Sequence, residues 1–367
     1  MPWIELAQRT AGRSGGLRKI SHTRRVALAV MLVAGGAGLT ACNGTAASAL
    51  HSTATTAPGS TPAKASANGA LVWSAPVSID PNNNDGAEIS CAGQDFCIVV
   101  TGEGEALTWN GNSWSSAQGI PGLGPVHSIS CPTVEFCVAG GEGGTVGTWN
   151  GSWSVEQAAD IPTDQSGDNF AAVFVSCVSA DFCMAVTADG YSFHFNGSSW
   201  STAYLVTSQG LNGVSCTATD SCMAFTPDRQ VTQWTGTSWS QPQEIDATGN
   251  PADSISALSC SSTDFCVAGD LDGNVVRWDG TSWSAPLLID QGQEIMDVSC
   301  GTPRFCVASD NIGQALTWGG SSWSKPTTID PAPPYHTNNS LQISMSCAGS
   351  NFCMGVDQTT LAMIGRT

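Results

Sequence analysis

Several things are scarce or missing in this 367-residue chain. No apolar run approaches the roughly 20 residues that a membrane-spanning helix needs. There is no phosphate-binding glycine loop, no Gly-x-Ser-x-Gly elbow and no motif that announces a Ser/His/Asp constellation. Positive charge is low, with 12 Lys and Arg against 30 Asp and Glu, a net −18. So acidic a chain repels phosphates, which disfavours nucleic acid and anionic headgroups as partners. Long helices have no room, because apolar runs are short and broken by Gly, Ser, Thr and Asn. No cofactor or metal-ligand set emerges.

What is present begins with an export signal. Arg9, Arg13, Arg18, Lys19, Arg24 and Arg25 form a basic leader, and Val26–Gly38 is a short apolar segment. Leu39-Thr40-Ala41-Cys42 follows. This resembles the lipobox of bacterial lipoproteins, which implies lipidation of Cys42 and a lipid-anchored, extracytoplasmic location at the cell membrane. An ordinary cleaved secretory signal with a chance cysteine is the other reading, and Thr23-Arg24-Arg25 leaves twin-arginine export open. Residues 1–41 are thus read as signal peptide and 42–68 as an Ala/Ser/Thr/Pro-rich tether, too poor in large apolar residues to offset ordering. The signal takes with it six of the 12 basic and one of the 30 acidic residues, leaving −23 on the mature chain. Cations and basic ligands are electrostatically the easier partners; solubility alone would also explain the charge.

From residue 69 to 367 one unit repeats. Seven cysteine pairs share one spacing: Cys91/Cys97, Cys131/Cys137, Cys177/Cys183, Cys216/Cys222, Cys260/Cys266, Cys300/Cys306 and Cys347/Cys353. First cysteines stand 39 to 47 residues apart. All-β units of this period suggest propeller blades. In the second unit the strands read Val126–Cys131 (A), Phe136–Gly140 (B), Thr145–Trp149 (C) and Trp153–Gln157 (D). Asn150-Gly151 between C and D carries a type I′ hairpin signal, with counterparts at Asn110-Gly111, Asn196-Gly197, Thr235-Gly236, Asp279-Gly280 and Gly319-Gly320. A Trp-Ser follows at Trp114, Trp153, Trp200, Trp239, Trp283 and Trp323; these tryptophans could form a sugar-binding row or pack blades together. The last unit stops after strand C, at Leu361–Gly365, whereas Leu71–Pro76 has the form of strand D. This resembles the velcro closure of β-propellers and implies an all-β, seven-bladed propeller whose N-terminal strand completes the last blade. The repeats fit neither WD40 nor kelch signatures well and resemble those of uncharacterised bacterial surface propellers.

Cys-x5-Cys across an A–B turn puts two cysteines on facing strands, and export supplies the oxidant, so one hairpin disulfide per blade is expected. Zinc would want closer pairs and more histidine. The acids at Asp95, Glu135, Asp181, Asp220 and Asp264 read as turn chemistry.

Function is sought where the copies differ. The B–C loops and the D-to-A crossovers share one face, and each B–C loop holds a carboxylate: Glu103 with Glu105, Glu142, Asp189, Asp228, Asp270 with Asp272, Asp310 and Asp357. Crossovers add Asp80, Asp246, Asp290 and Asp330. The expectation is an acidic face for an unknown protein, glycan or cation ligand, on a non-enzymatic binding or scaffold module. The alternative is an extracytoplasmic glycan-active hydrolase or lyase with carboxylates at the channel mouth and His127, His194 or His336 beside them. Asp270-Leu271-Asp272-Gly273-Asn274 looks like a calcium loop but lacks the closing Glu, and reads as a structural turn. The long crossover holding Tyr335 and His336 reads as solvent-exposed loop.

Overall fold

Short β-branched and apolar runs fit pleated, half-buried surfaces, and the glycine-bearing turns between them reverse the chain. The result, in a computed structural model describing residues 71–82, 86–162, 171–245, 254–331 and 341–367, is seven antiparallel sheets. The signal, the tether with Cys42, Asp246, Tyr335 and His336 lie outside the described residues. Among the described residues no helix is long and apolar enough to cross a membrane. Six sheets take their strands in chain order, the first innermost, and inner strands touch in cyclic order, the seventh against the first. This is a seven-bladed β-propeller. In the last blade Val72–Trp73 pairs with Leu361–Arg366, in the register Val72 to Arg366, so the N-terminal segment supplies the outer strand.

The core is not inside the blades but between them. Each of seven apolar clusters draws on two neighbouring blades; Ile98 and Val100 of blade 1, for instance, pack on Ile129 and Ala139 of blade 2 under Trp149 and Trp153. The tryptophans therefore serve blade packing. They also pair across the C–D turn, Trp109 with Trp114 at 5.6 Å between centroids and Trp234 with Trp239 at 5.8 Å. The strand-C member clips the A–B turn beside it: Nε1 of Trp109, Trp234, Trp278 and Trp318 donates to Gln94, Thr219, Thr263 and Pro303 carbonyls at 3.1–3.3 Å.

All seven cysteine pairs are disulfide-bonded. The bridges join Cys91 to Cys97, Cys131 to Cys137, Cys177 to Cys183, Cys216 to Cys222, Cys260 to Cys266, Cys300 to Cys306 and Cys347 to Cys353, with Cα atoms 3.9–4.1 Å apart. The two members of a bridge differ in surroundings. The second, on strand B, is buried in every blade, and each of the seven lies in a different inter-blade cluster. Cys137 packs with blades 1 and 2, Cys183 with 2 and 3, Cys222 with 3 and 4, and Cys266 with 4 and 5. Cys306, Cys353 and Cys97 do the same at the three remaining seams. These sulfurs are therefore core atoms as well as staples, and none is presented to a ligand. Each short loop contributes about 2 kcal/mol by the chain-entropy argument.

The N–H of each first cysteine points away from its own blade and donates to a serine of the preceding one. Cys131 bonds Ser90, Cys177 Ser130, Cys216 Ser176, Cys260 Ser215, Cys300 Ser259, Cys347 Ser299 and Cys91 Ser346, all at 2.9 Å. Seven identical bonds thus close a ring around the axis. The cysteine pair is consequently the non-hydrogen-bonded kind, in which facing residues come closest.

The C–D turns are not the type I′ hairpins that Asn-Gly suggests. Asn110–Ser113 lie between the paired Trp109 and Trp114, and only Gly111 takes a positive φ, +90°, where type I′ needs two. The Asn110 side chain instead accepts from the N–H groups of Asn112 and Ser113 at 3.0 and 2.9 Å. Asp279 does the same in blade 5, and N–H donation, chiefly from Ser282, holds its carboxyl down to about 2. A Cβ on Gly111 would meet Asp95 Oδ1 at 2.8 Å, so the A–B acids pack on the neighbouring turn. Strand D is also shorter than expected outside blade 2. Apart from a single bridge, Trp to Trp or, in blade 3, Phe195 to Trp200, it is two residues long, as at Gln118–Gly119 or Leu287–Leu288, because the outer chain bulges after the tryptophan. The serine of Trp-Ser fills the gap. Thr108, His194, Gln233, Arg277 and Thr317 donate their N–H to Ser115, Ser201, Ser240, Ser284 and Ser324 at 3.0 Å, and Ile364 donates to Ser74 at the same distance.

Two outcomes test this account. Ser176→Ala leaves the Cys216 N–H without its acceptor and should lower stability by about 1–3 kcal/mol in chemical denaturation. An unchanged midpoint and slope would mean that the ring bonds carry no net weight. Mutating one Trp-Ser serine, Ser240→Ala, exposes a rim N–H to water, so the loss there should be smaller, under about 1 kcal/mol in the same assay.

Candidate binding face and channel wall

The acids expected to form one ring divide into two sets. Outside blade 2, where glycine stands there, B–C turns are capped by the residue at or just past the end of strand B. In blades 1, 3 and 4 it is a threonine: Thr101, Thr187 and Thr226 accept the N–H of Glu105, Tyr191 and Gln230 at 3.1–3.3 Å. In blades 5, 6 and 7 it is an aspartate. Asp270 Oδ1 accepts from Asp272 and Asn274, Asp310 Oδ1 from Ile312 and Gln314, and Asp357 Oδ1 from Thr359 and Leu361, at 2.7–3.0 Å. The supposed calcium loop at Asp270–Asn274 is one of these capped turns.

The crossover acids Asp80, Asp290 and Asp330 sink against the same turns. With Asp270, Asp310 and Asp357 they are only 0–7% exposed. Asp290 is pushed up to about 6, first by burial, then by its hydrogen bond to Asp310 and that group's charge. These six acids are thus part of the scaffold and not of an exposed rim. The remaining tip acids face water: Glu103, Asp189 and Asp228 are exposed and Glu142 is half-buried. Glu105 is raised by partial burial and by its neighbours Asp80 and Glu103. The expected ring of seven is therefore an arc over blades 1 to 4, continued by exposed Asp272 in blade 5.

Of the histidines in the alternative reading, His127 has Nε2 3.3 Å from Glu142 Oε1 at the start of strand A in blade 2. His194 lies elsewhere, between the Phe182 and Trp234 rings of blades 3 and 4, so the two do not meet in one site.

Two features had no counterpart in the expectations. Glu88 and Asp297 occupy the same register position, two residues before the ring serine, on the inner strands of blades 1 and 6. Burial raises both carboxyls. Glu88 goes to about 8, with the Asp297 charge adding and a Ser344 hydrogen bond opposing; Asp297 goes to about 7 despite N–H bonds from Met345 and Val298. The readable signal was an acid in Glu-x-Ser-Cys and Asp-x-Ser-Cys, where the other blades have Ser, Phe, Gly or Ala. The second feature is a cleft of about 480 Å³ on the A–B face, among the turns of blades 7, 1 and 2. Its lining is uncharged: Ala92, Gly93, Gln94, Pro132, Ala348, Gly349 and Asn351, with the disulfide-bonded Cys91 and Cys131. The turn of blade 7 leans onto blade 6, where a Cβ on Gly301 would meet Gly349 O at 1.9 Å.

No family model and no curated protein matches this chain. Solved propellers do. YCF48 bound to D1 peptide is 13% identical with a TM-score of 0.61, covering 80% of this chain and 97% of its own. A catalytically inactive virginiamycin B lyase from Staphylococcus aureus with quinupristin is 7% identical at a TM-score of 0.65, over 81% and 99%. The WD40 β-propeller domain of Doa1 is 11% identical at 0.61, over 80% and 97%. At these identities the likeness is one of fold.

Proposed function

We propose that this protein is an exported, lipid-anchored propeller that binds a cationic or basic ligand through the tip acids of blades 1 to 4. The observation that carries the reading is the contrast between blades. The threonine caps of blades 1, 3 and 4 leave Glu103, Asp189 and Asp228 in water, on neighbouring sectors of one face of a chain with net charge −18. Charges so placed raise the association rate of a basic partner and make it salt-dependent. Two of the similar propellers hold a peptide and a small molecule, which supports a binding role for the architecture.

The chain enters the ring at Val72, paired with Arg366, and Thr367 N–H bonds the Asn351 carbonyl of the A–B turn. Entry is therefore on the A–B face. A second reading, a glycan-active hydrolase or lyase, is favoured by one observation, the His127–Glu142 pair at 3.3 Å.

The test is a triple variant, Glu103→Gln, Asp189→Asn, Asp228→Asn, whose exposed positions spare the fold. Binding of a lysine-rich peptide, followed by fluorescence anisotropy across a salt series, should weaken about tenfold or more and lose most of its salt slope. Equal affinity for the triple variant and the parent would refute the arc as a binding surface. Should Glu142→Gln instead abolish release of reducing ends from an envelope glycan, the hydrolase or lyase reading would replace it.

A further inference from the structure

The acidic arc makes no use of Glu88 and Asp297, and the packing around them points to a different role. Above the ring of serine–cysteine bonds runs a second rung. In blade 2, Ser128 Oγ accepts the Val175 N–H of blade 3 at 3.0 Å; in blade 7, Ser344 Oγ accepts the Ile89 N–H of blade 1 at 3.3 Å. Asp297 holds this position in blade 6, its Oδ2 accepting the Met345 N–H of blade 7 at 2.6 Å and its Oδ1 the Val298 N–H at 2.7 Å. Glu88 holds it in blade 1, and its Oε2 accepts the Ser344 hydroxyl at 2.8 Å. The inner strand of the closing blade, Ile343–Cys347, is thus gripped from both sides by a carboxyl group.

We propose that Glu88 and Asp297 form a proton-operated latch on the closing blade: proton-bound they hold its inner strand in the ring, and doubly ionised they repel across it and loosen the seam where the two ends of the chain meet. Among the described residues Asp297 is the charged group acting on Glu88, and no cation offsets either acid. Facing them from the packed strands are the neutral Ser344 and Met345 of blade 7. Ser128 of blade 2 and Ala257 of blade 5, the register equivalents in the flanking blades, are neutral as well.

The sign follows from the two titrations. Opened to water, the groups would return toward 4.5 and 3.8; in the closed ring they stand at about 8 and about 7. The closed ring binds the extra protons. Its advantage is therefore complete below about pH 4 and is lost as pH rises through 7 and 8. This latch stands whether or not the acidic arc binds a ligand, since it uses none of the same residues.

Hydrogen exchange on the intact, oxidised chain between pH 5 and 9 tests it. Corrected for intrinsic rates, opening at the Met345 and Ile89 amides should rise by up to about a hundredfold per pH unit between 5 and 7, since two protons are released. The Val175 amide, held by Ser128 in a rung without an acid, should stay flat. Glu88→Gln should cut the Met345 slope to about tenfold per pH unit, the single proton of Asp297 remaining. If Met345 and Val175 track together, or if Glu88→Gln keeps the full slope of the parent, there is no latch. Should that variant fail to fold, infrared titration of the parent carboxyl groups decides. A Glu carboxyl titrating near pH 8 is expected from Glu88; all Glu titrating in the ordinary range near 4.3 would overturn the proposal.

Discussion

Every blade of a propeller has an inner strand with a free edge, and a free edge inside a ring has few ways to be satisfied. Here one bond solves the problem seven times: the cysteine N–H of each blade donates to the serine of the blade before it, always at 2.9 Å. Adjacency in sequence matters. A serine turned toward the next blade and a cysteine turned the other way are consecutive residues because strand side chains alternate. The same N–H direction makes the cysteine pair a close one, so the inter-blade bond and the intra-blade disulfide follow from one choice of register. Ser-Cys is therefore a single device for closing the inner edge. Its partner cysteine on strand B, Cys97 or Cys306 for instance, carries the link onward into the apolar seam between blades.

At the rim the constraint differs. The outer strand bulges, and the bulge strands an N–H of strand C. The serine of Trp-Ser accepts it, while the paired tryptophans cover the gap. That Ser74, from the start of the domain, does this for Ile364, near its end, shows that velcro closure is more than a strand laid alongside. The N-terminal segment reproduces the bond that covalently continuous blades make for themselves.

The fold was legible because repetition exposes it. Seven cysteine pairs and a strand D displaced to the front of the domain imply blade number, closure and disulfides without reference to contacts. The turn type was not legible from Asn-Gly alone. Loop length decides it, and the residues from Asn110 to Ser113 make room for a side-chain cap that a two-residue turn excludes. The site was legible only in part. An aspartate in a turn looks the same in sequence whether it points into water or caps its own loop. Asp189 and Asp310 differ in standing next to the turn glycine, Gly190, or further ahead of it, as Asp310 does of Gly313. Glu88 and Asp297 were missed because an inner-strand acid breaks the repeat pattern quietly, by one residue in a half-buried position.

The distinction between those aspartates is what gives a near-symmetric ring a working side. The cap of a B–C turn needs one short oxygen-bearing side chain, and threonine and aspartate both supply it. Where threonine does the job, the tip two residues on remains free to carry an acid, as Glu103, Asp189 and Asp228 do. Where aspartate does it, the charge is consumed inside the loop. The tips of blades 6 and 7 carry Ile312 and Thr359, whereas blade 5 adds an exposed Asp272 beside its aspartate cap. Acids therefore stand at the tips along one arc of blades, and in blades 6 and 7 the charge is held inside the turns.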